Sequence, residues 1–133
     1  LMNLTSLRLT SFPSRSMPNT SGGPGGNLPW DADSAPDLFL RVVDEVGYVA
    51  HQTEVRSNAS GPQTWTVPLT VFSVTTSQLR IVVYDSDGAT ENYIYETPVY
   101  VPFPDRRRKP QTVTLSQPTW REPVSVDLGL EWR

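Results

Sequence analysis

Residues 124–132, "VSVDLGLEW", alternate without a break. Val124, Val126, Leu128, Leu130 and Trp132 fall on one side, with Ser125, Asp127, Gly129 and Glu131 on the other. A period of two marks a half-buried strand, because successive side chains point to opposite faces of a sheet. The same signal recurs in "SLRLTSF" (6–12), "DLFLRVV" (37–43), "LRIVVY" (79–84) and "QTVTLS" (111–116), and more weakly in "YVAHQTEV" (48–55), "QTWTV" (63–67) and "YIYETPVYV" (93–101). The 13 prolines leave no room for a long helix. Eight strands punctuated by Pro and Gly clusters predict an all-β fold, an eight-stranded antiparallel β-sandwich.

At 133 residues the chain is expected to be a single domain spanning 1–133. Its longest irregular piece, 13–36 ("PSRSMPNTSGGPGGNLPWDADSAP"), follows only one strand, and one strand cannot stand alone. It is therefore a long loop inside the domain, and loops of that length are usually functional or mobile. No cysteine is present, which excludes a disulfide scaffold and thiolate metal sites. No apolar window of ~18 residues exists to span a membrane. The start, "LMNLTSLRLT", has no charged signal-like region and opens on Leu, so a processed protein or an excised fragment is expected. Sequons stand at Asn3, Asn19 and Asn58.

Net charge is only -3, so no global field points to nucleic acid or an anionic membrane. The distribution says more. Asp31, Asp33, Asp37, Asp85, Asp87 and Glu91 lie in two short stretches, and clustered carboxylates need a counter-charge. Hard divalent cations supply it, and Ca²⁺ tolerates the irregular oxygen geometry of loops. "DSDG" (85–88) is also an ordinary turn-forming sequence, and both readings stay open. A helical calcium loop does not fit, because Ala89 and Thr90 stand where an Asp or Asn and the required Gly belong.

Taken together, "PWDADSAPDLFLRV" and "LRIVVYDSD" resemble the C2 domains, calcium- and lipid-binding β-sandwiches. The first stretch carries the D-x5-D spacing in Asp31 and Asp37. The second carries an apolar strand ending in Y-D-x-D, with Asp85 and Asp87. "GPQTWTVPLTVF" resembles the segment that lies between them, though without its acid. The resemblance covers about residues 7 to 116 and implies the circularly permuted, type II strand order. It also implies a calcium site of Asp31, Asp37, Asp85 and Asp87, with Asp33, Glu91 or Asn92 completing the shell. Tyr93 stands where a fifth Asp is expected, and Ile94-Tyr95 replaces an Ile-Gly pair, which implies fewer or weaker ions. The "DADS" stretch is similar to C2-like modules of bacterial surface proteins.

Leu28 and Trp30 beside Asp31 either insert into a membrane or cover the end of the sandwich. Arg106, Arg107, Arg108 and Lys109 form either a solvated connector or a contact for anionic lipid. Trp65, Trp120 and Trp132 read as packing residues, and His51 as a surface residue. No catalytic motif appears, and no enzyme activity is expected. The expected role is a calcium-binding structural or interaction module of an extracellular or cell-surface protein. A calcium-dependent phospholipid-binding C2 domain and an accessory domain of a larger enzyme are the alternatives. Residues 1 to 5, "LMNLT", are expected to be held by another subunit in a homo-oligomer or head-to-tail filament.

Overall fold

In the computed structural model, residues 1–17, 28–30, 35–71 and 73–133 are described. The alternating segments form eight strands: β1 (Met2–Ser11), β2 (Leu38–Val43), β3 (Val49–Gln52), β4 (Gln63–Val71), β5 (Arg80–Asp87), β6 (Thr90–Glu96), β7 (Thr112–Gln117) and β8 (Val124–Trp132). They build two antiparallel four-stranded sheets, ordered β4-β1-β8-β7 and β3-β2-β5-β6. One short 3₁₀ turn, Phe103–Asp105, interrupts the link from β6 to β7.

The period-two faces become the core. Leu7 and Leu9 of β1, Leu40 and Val42 of β2, Ile81 and Val83 of β5, and Val126 and Leu128 of β8 are buried between the sheets. Trp65 is buried with them and its indole N–H donates to the Glu54 carbonyl at 3.0 Å. Parking the one polar atom of that ring on a carbonyl removes the penalty of burying it. Trp120 and Trp132 pack less deeply and donate to the Arg15 and Pro110 carbonyls.

β1 and β8 lie side by side at the centre of one sheet, with Met2 opposite Trp132 and Leu9 opposite Val126. That adjacency is what the permuted strand order requires, since the last strand must fill the place beside the first. It also corrects the expectation for residues 1 to 5. Met2 and Leu4 are fully buried in the chain's own core and pair with both β4 and β8. No second subunit is needed to hold "LMNLT". Alternation alone starts the strand at residue 6, because Thr5 and Ser6 break the pattern. The structure absorbs the break as a bulge between Leu4 and Ser6, where the Thr5 hydroxyl donates to the Gly129 carbonyl at 3.1 Å.

Two further boundaries differ from the alternation. β5 runs on through Asp85, Ser86 and Asp87 rather than stopping at Tyr84, and β6 ends at Glu96. Of "TPVYV", Thr97 still bonds to Ile81 of β5, donating its N–H to the Ile81 carbonyl at 2.9 Å and accepting the Ile81 N–H on its hydroxyl at 3.0 Å, and Tyr100 forms an isolated bridge to Leu79.

Candidate metal centre

The register places the acidic residues. β2 starts at Leu38 opposite Asp85, so the end of the long loop and the end of β5 meet at one end of the sandwich. Asp37, one residue before β2, donates its backbone N–H to Asp85 Oδ1 at 2.9 Å, and its carbonyl accepts the Ser86 N–H at 2.7 Å. The Asp37 carboxylate accepts the Asn58 N–H at 2.8 Å. Asn58 has φ +50°, a conformation Asn tolerates better than most residues and one that turns its N–H toward Asp37. Sequence reasoning missed its part; the available signal was an Asn in a Gly-Ser-rich turn.

Asp85 is fully buried, while Asp87, two residues on along the same face, is exposed. β5 turns into β6 through Gly88 and Ala89 alone, with Asp87 opposite Thr90 and Gly88 at φ +75°. "DSDG" is thus a strand end plus a two-residue hairpin turn, for which Gly at the first turn position is well suited. The turn reading of that stretch holds, and the strand before it brings the Asp85 carboxylate to the backbone N–H of Asp37. Asn92, opposite Asp85, donates its side-chain amide to Asp87 Oδ2.

Glu91 stands apart. It lies opposite Ser86, on the outer sheet face, where Arg41 holds it at 2.8 Å. Arg41 also donates to Gln52 at 2.8 Å and covers the Tyr84 ring at 4.6 Å. Pairing residues alternate faces, so neighbours in sequence cannot both reach the acidic end, and Asn92 rather than Glu91 points there. That takes Glu91 out of the expected shell. Asp31 and Asp33 lie outside the described residues. Among the described residues, no three His, Cys, Asp or Glu side chains group to hold a metal.

The base of the long loop closes on itself beside this end. Ser16 N–H donates to the Leu28 carbonyl at 2.9 Å, the Ser16 hydroxyl accepts the Leu28 N–H at 3.1 Å, and Arg15 bridges to Pro29. Trp30 packs against the core and donates to the Pro13 carbonyl at 2.7 Å. It covers the sandwich end, the second of its two expected roles. Leu28 and Met17, 53% and 61% exposed, project from the loop base.

The basic run lies elsewhere. Arg106 to Lys109 precede β7, whose first residue, Thr112, pairs with Gly129, and the Pro110 carbonyl touches Trp132. This is the end opposite Asp37. Leu28 and Arg107 therefore lie at opposite ends of the sandwich.

Two four-stranded antiparallel sheets, terminal strands side by side and acidic loops at one end make a recognisable architecture. A structure described as a C2 domain superposes with a TM-score of 0.57 at 17% identity, over 98% of this chain and 96% of that one. The fold is that of a C2 domain. The first C2 domain of a plant extended synaptotagmin 1 matches with a TM-score of 0.50 at 10% identity, over 98% and 97% of the two chains. A human cytosolic phospholipase A2 of group IVD, solved with an inhibitor and terbium chloride, matches with a TM-score of 0.51 at 12% identity. There 99% of this chain covers 17% of that one, so the likeness concerns one small part of the enzyme. No protein-family model matches the sequence, and no curated protein is similar to it. At such identities the C2 likeness establishes the sandwich and its topology, not the ligands.

The side-chain acceptors at this end are oxygens already met by protein donors, Asp37 by the Asn58 N–H, Asp85 by the Asp37 N–H and Asp87 by the Asn92 amide. Asp37, Asp85, Asp87 and Asn92 offer oxygen only, and the chain has no cysteine and a single histidine, His51, on β3. Soft or borderline metals lack their usual ligands here, whereas Ca²⁺ takes carboxylate and amide oxygens.

Proposed function

We propose that this C2-fold chain is a non-catalytic, calcium-binding module serving as a structural or interaction domain of an extracellular or cell-surface protein. The observation that carries the reading is the bond from the Asp37 N–H to the buried Asp85 carboxylate. It ties the exit of the long loop to the end of β5, which supports a site built from residues of both stretches. Asp37, Asp85, Asp87 and Asn92 would hold the cation, with Asp31 and Asp33 as the neighbouring acids in sequence. Calcium would supply positive charge and bridge the long loop to β5. The extracellular setting is supported by the Asn58 sequon, which sits on an exposed turn.

Calorimetric titration with Ca²⁺ tests this directly, together with melting curves in chelator and in excess calcium. A ligand that binds only the folded state raises the melting temperature with concentration. The shift should vanish in Asp85→Asn/Asp87→Asn. Identical melting curves in chelator and in millimolar calcium would remove the calcium reading.

Calcium-dependent binding to phospholipid is the second reading, favoured by Leu28 and Met17 exposed at the acidic end. Leu28→Ser/Met17→Ser should then weaken calcium-dependent vesicle binding and leave the calcium-induced melting shift intact. A role as accessory domain of a larger enzyme is a third. It rests on the same sandwich standing within a much longer phospholipase chain.

A further inference from the structure

A line of aromatic rings runs across the β3-β2-β5-β6 sheet and round its edge at β6. Phe39 and Tyr84 stack with centroids 5.2 Å apart, and Arg41 lies over the Tyr84 ring at 4.6 Å. Beyond them the rings turn steep to one another: Tyr84 to Tyr93 at 75°, Tyr93 to Tyr95 at 57° and Tyr95 to Trp120 at 86°. Stacked rings close their faces on each other, whereas steep ones leave faces open as walls. In a regular strand Tyr93 and Tyr95 would share one face. The bulge between Val83 and Tyr84 separates them, with Tyr93 opposite Tyr84 and Tyr95 opposite the core residue Val83. Together with Trp30, Trp120 and Met17 they line a cleft of about 350 Å³. It lies beside β6, the edge strand of its sheet, with Trp30 coming from the long loop and Trp120 from the β7–β8 link.

Little of this lining is left to form hydrogen bonds. Trp30 and Trp120 donate their indole N–H groups to the Pro13 and Arg15 carbonyls at 2.7 and 2.9 Å. The Ser16 hydroxyl, also on the wall, accepts the Leu28 N–H. The Tyr93 hydroxyl donates to Glu96 at 2.8 Å, and Arg80 holds the same carboxylate at 2.9 Å. Donation from a phenol to a carboxylate pushes electron density into the ring and makes its face more negative. A sugar or an anion would leave its oxygens unpaired here, at the cost of a buried unsatisfied group. A primary ammonium would leave its N–H groups unpaired in the same way. A quaternary ammonium has no N–H to satisfy, and the faces of tryptophan and tyrosine attract it.

We propose that this cleft binds the trimethylammonium group of a small soluble cation of the choline class, independently of calcium. Tyr93, Tyr95, Trp30 and Trp120 would face the methyl groups, and Met17 would close over them. The same sheet already seats one cation on a ring of this line, the Arg41 guanidinium on Tyr84. Two of the walls are residues in which this chain departs from the C2 pattern, since Tyr93 and Tyr95 stand where an Asp and a Gly are expected. The setting favours a soluble cation over a headgroup within a bilayer. Glu91 and Arg121, close in sequence to the lining residues Tyr93 and Trp120, are exposed charges. A bilayer laid against this flank would strip their water at a cost that a small solute avoids.

Tryptophan fluorescence and calorimetric titration of the full chain with choline chloride, in chelator and at constant ionic strength, test the proposal. Choline should bind saturably, and about tenfold more tightly than its neutral isostere, in which a tert-butyl group replaces the trimethylammonium. Ethanolamine, with its N–H groups, should bind more weakly than choline. Tyr93→Leu should lose roughly fivefold in choline affinity, and Tyr93→Phe less, since Phe keeps the ring and loses only the bond to Glu96. Tyr93 is 47% exposed, so melting curves should show both variants folded. The absence of a saturable response to choline overturns the proposal. So does equal binding of the neutral isostere or of ethanolamine, or a Tyr93→Leu variant that binds choline as the parent does. Binding confined to phosphatidylcholine vesicles, with free choline inert, also overturns it and makes the cleft a membrane contact. Because every titration is run in chelator, the calcium reading can fail while this one stands, and the reverse.

Discussion

Asp85 shows how one side chain can serve both stability and binding. It is a fully buried carboxylate whose Oδ1 accepts the Asp37 N–H. Asp85→Ala removes that acceptor and strands the donor, at a cost of about 1–3 kcal/mol in chemical denaturation. Asp85→Asn keeps an oxygen and should cost less, which makes it the better probe of calcium. Tyr100 offers a second test at this scale. Burial, and then its bond to the Asp105 carboxylate, push its pKa well above the ordinary value near 10. Folding therefore gains full benefit below pH ~10, where the unfolded tyrosine is still protonated. That benefit falls away as the unfolded chain's phenol ionises and pH climbs toward the raised folded value. An alkaline titration by ultraviolet absorbance should find Tyr100 silent until the protein unfolds. Normal ionisation of all five tyrosines in the folded state would contradict the structure.

Among the elements, β1 and the β5–β6 hairpin make the sharpest demands. β1 runs between β4 and β8, and its first residues anchor the core. Met2→Ala or Leu4→Ala should cost about 2–5 kcal/mol, the range for deleting large side chains in a packed interior. Deleting residues 1 to 5 should destabilise or unfold the chain rather than release a soluble monomer, which circular dichroism will show. The hairpin turn depends on Gly88 at φ +75°. Gly88→Ala puts a Cβ in that conformation and should cost about 1 kcal/mol. It should also lower any calcium affinity, because Asp87 adjoins the turn. Gly129 belongs to the same class of packing constraint. A Cβ there would lie 2.1 Å from Ser6 Oγ, so this small residue on the outer face of β8 answers the bulge in β1.

For the molecule as a whole, the two sheets share one core, and unfolding should be a single transition. Tryptophan fluorescence and far-ultraviolet dichroism should give coincident curves, since Trp65 reports the core that both sheets enclose. Two separate transitions would mean that the sheets are independent units. The molecule is also polar end to end, acidic loops at one pole and the basic run at the other. Each pole can therefore be tested by its own substitutions without disturbing the other.

Strand existence and fold class were legible in the chain because a half-buried strand writes its geometry as alternation, and Val124 to Trp132 carry that pattern unbroken. The spacings that resemble C2 loops drew attention to Asp37 and Asp85, and the structure joins them through the Asp37 backbone N–H rather than through paired carboxylates. What the chain alone could not decide is anything set by register between strands distant in sequence. Leu38 facing Asp85 brings Asp37 to the end of β5, while Glu91 facing Ser86 sends a neighbouring acid to the other side of the sheet. The same holds for β1: Thr5 and Ser6 break the alternation, and only pairing with β4 and β8 shows that the strand continues through a bulge to Met2. The place of the basic run in the molecule is likewise set by strand direction, which puts it at the pole opposite Leu28. Local pattern records which way each side chain faces along its own strand; tertiary pairing decides which faces and ends coincide.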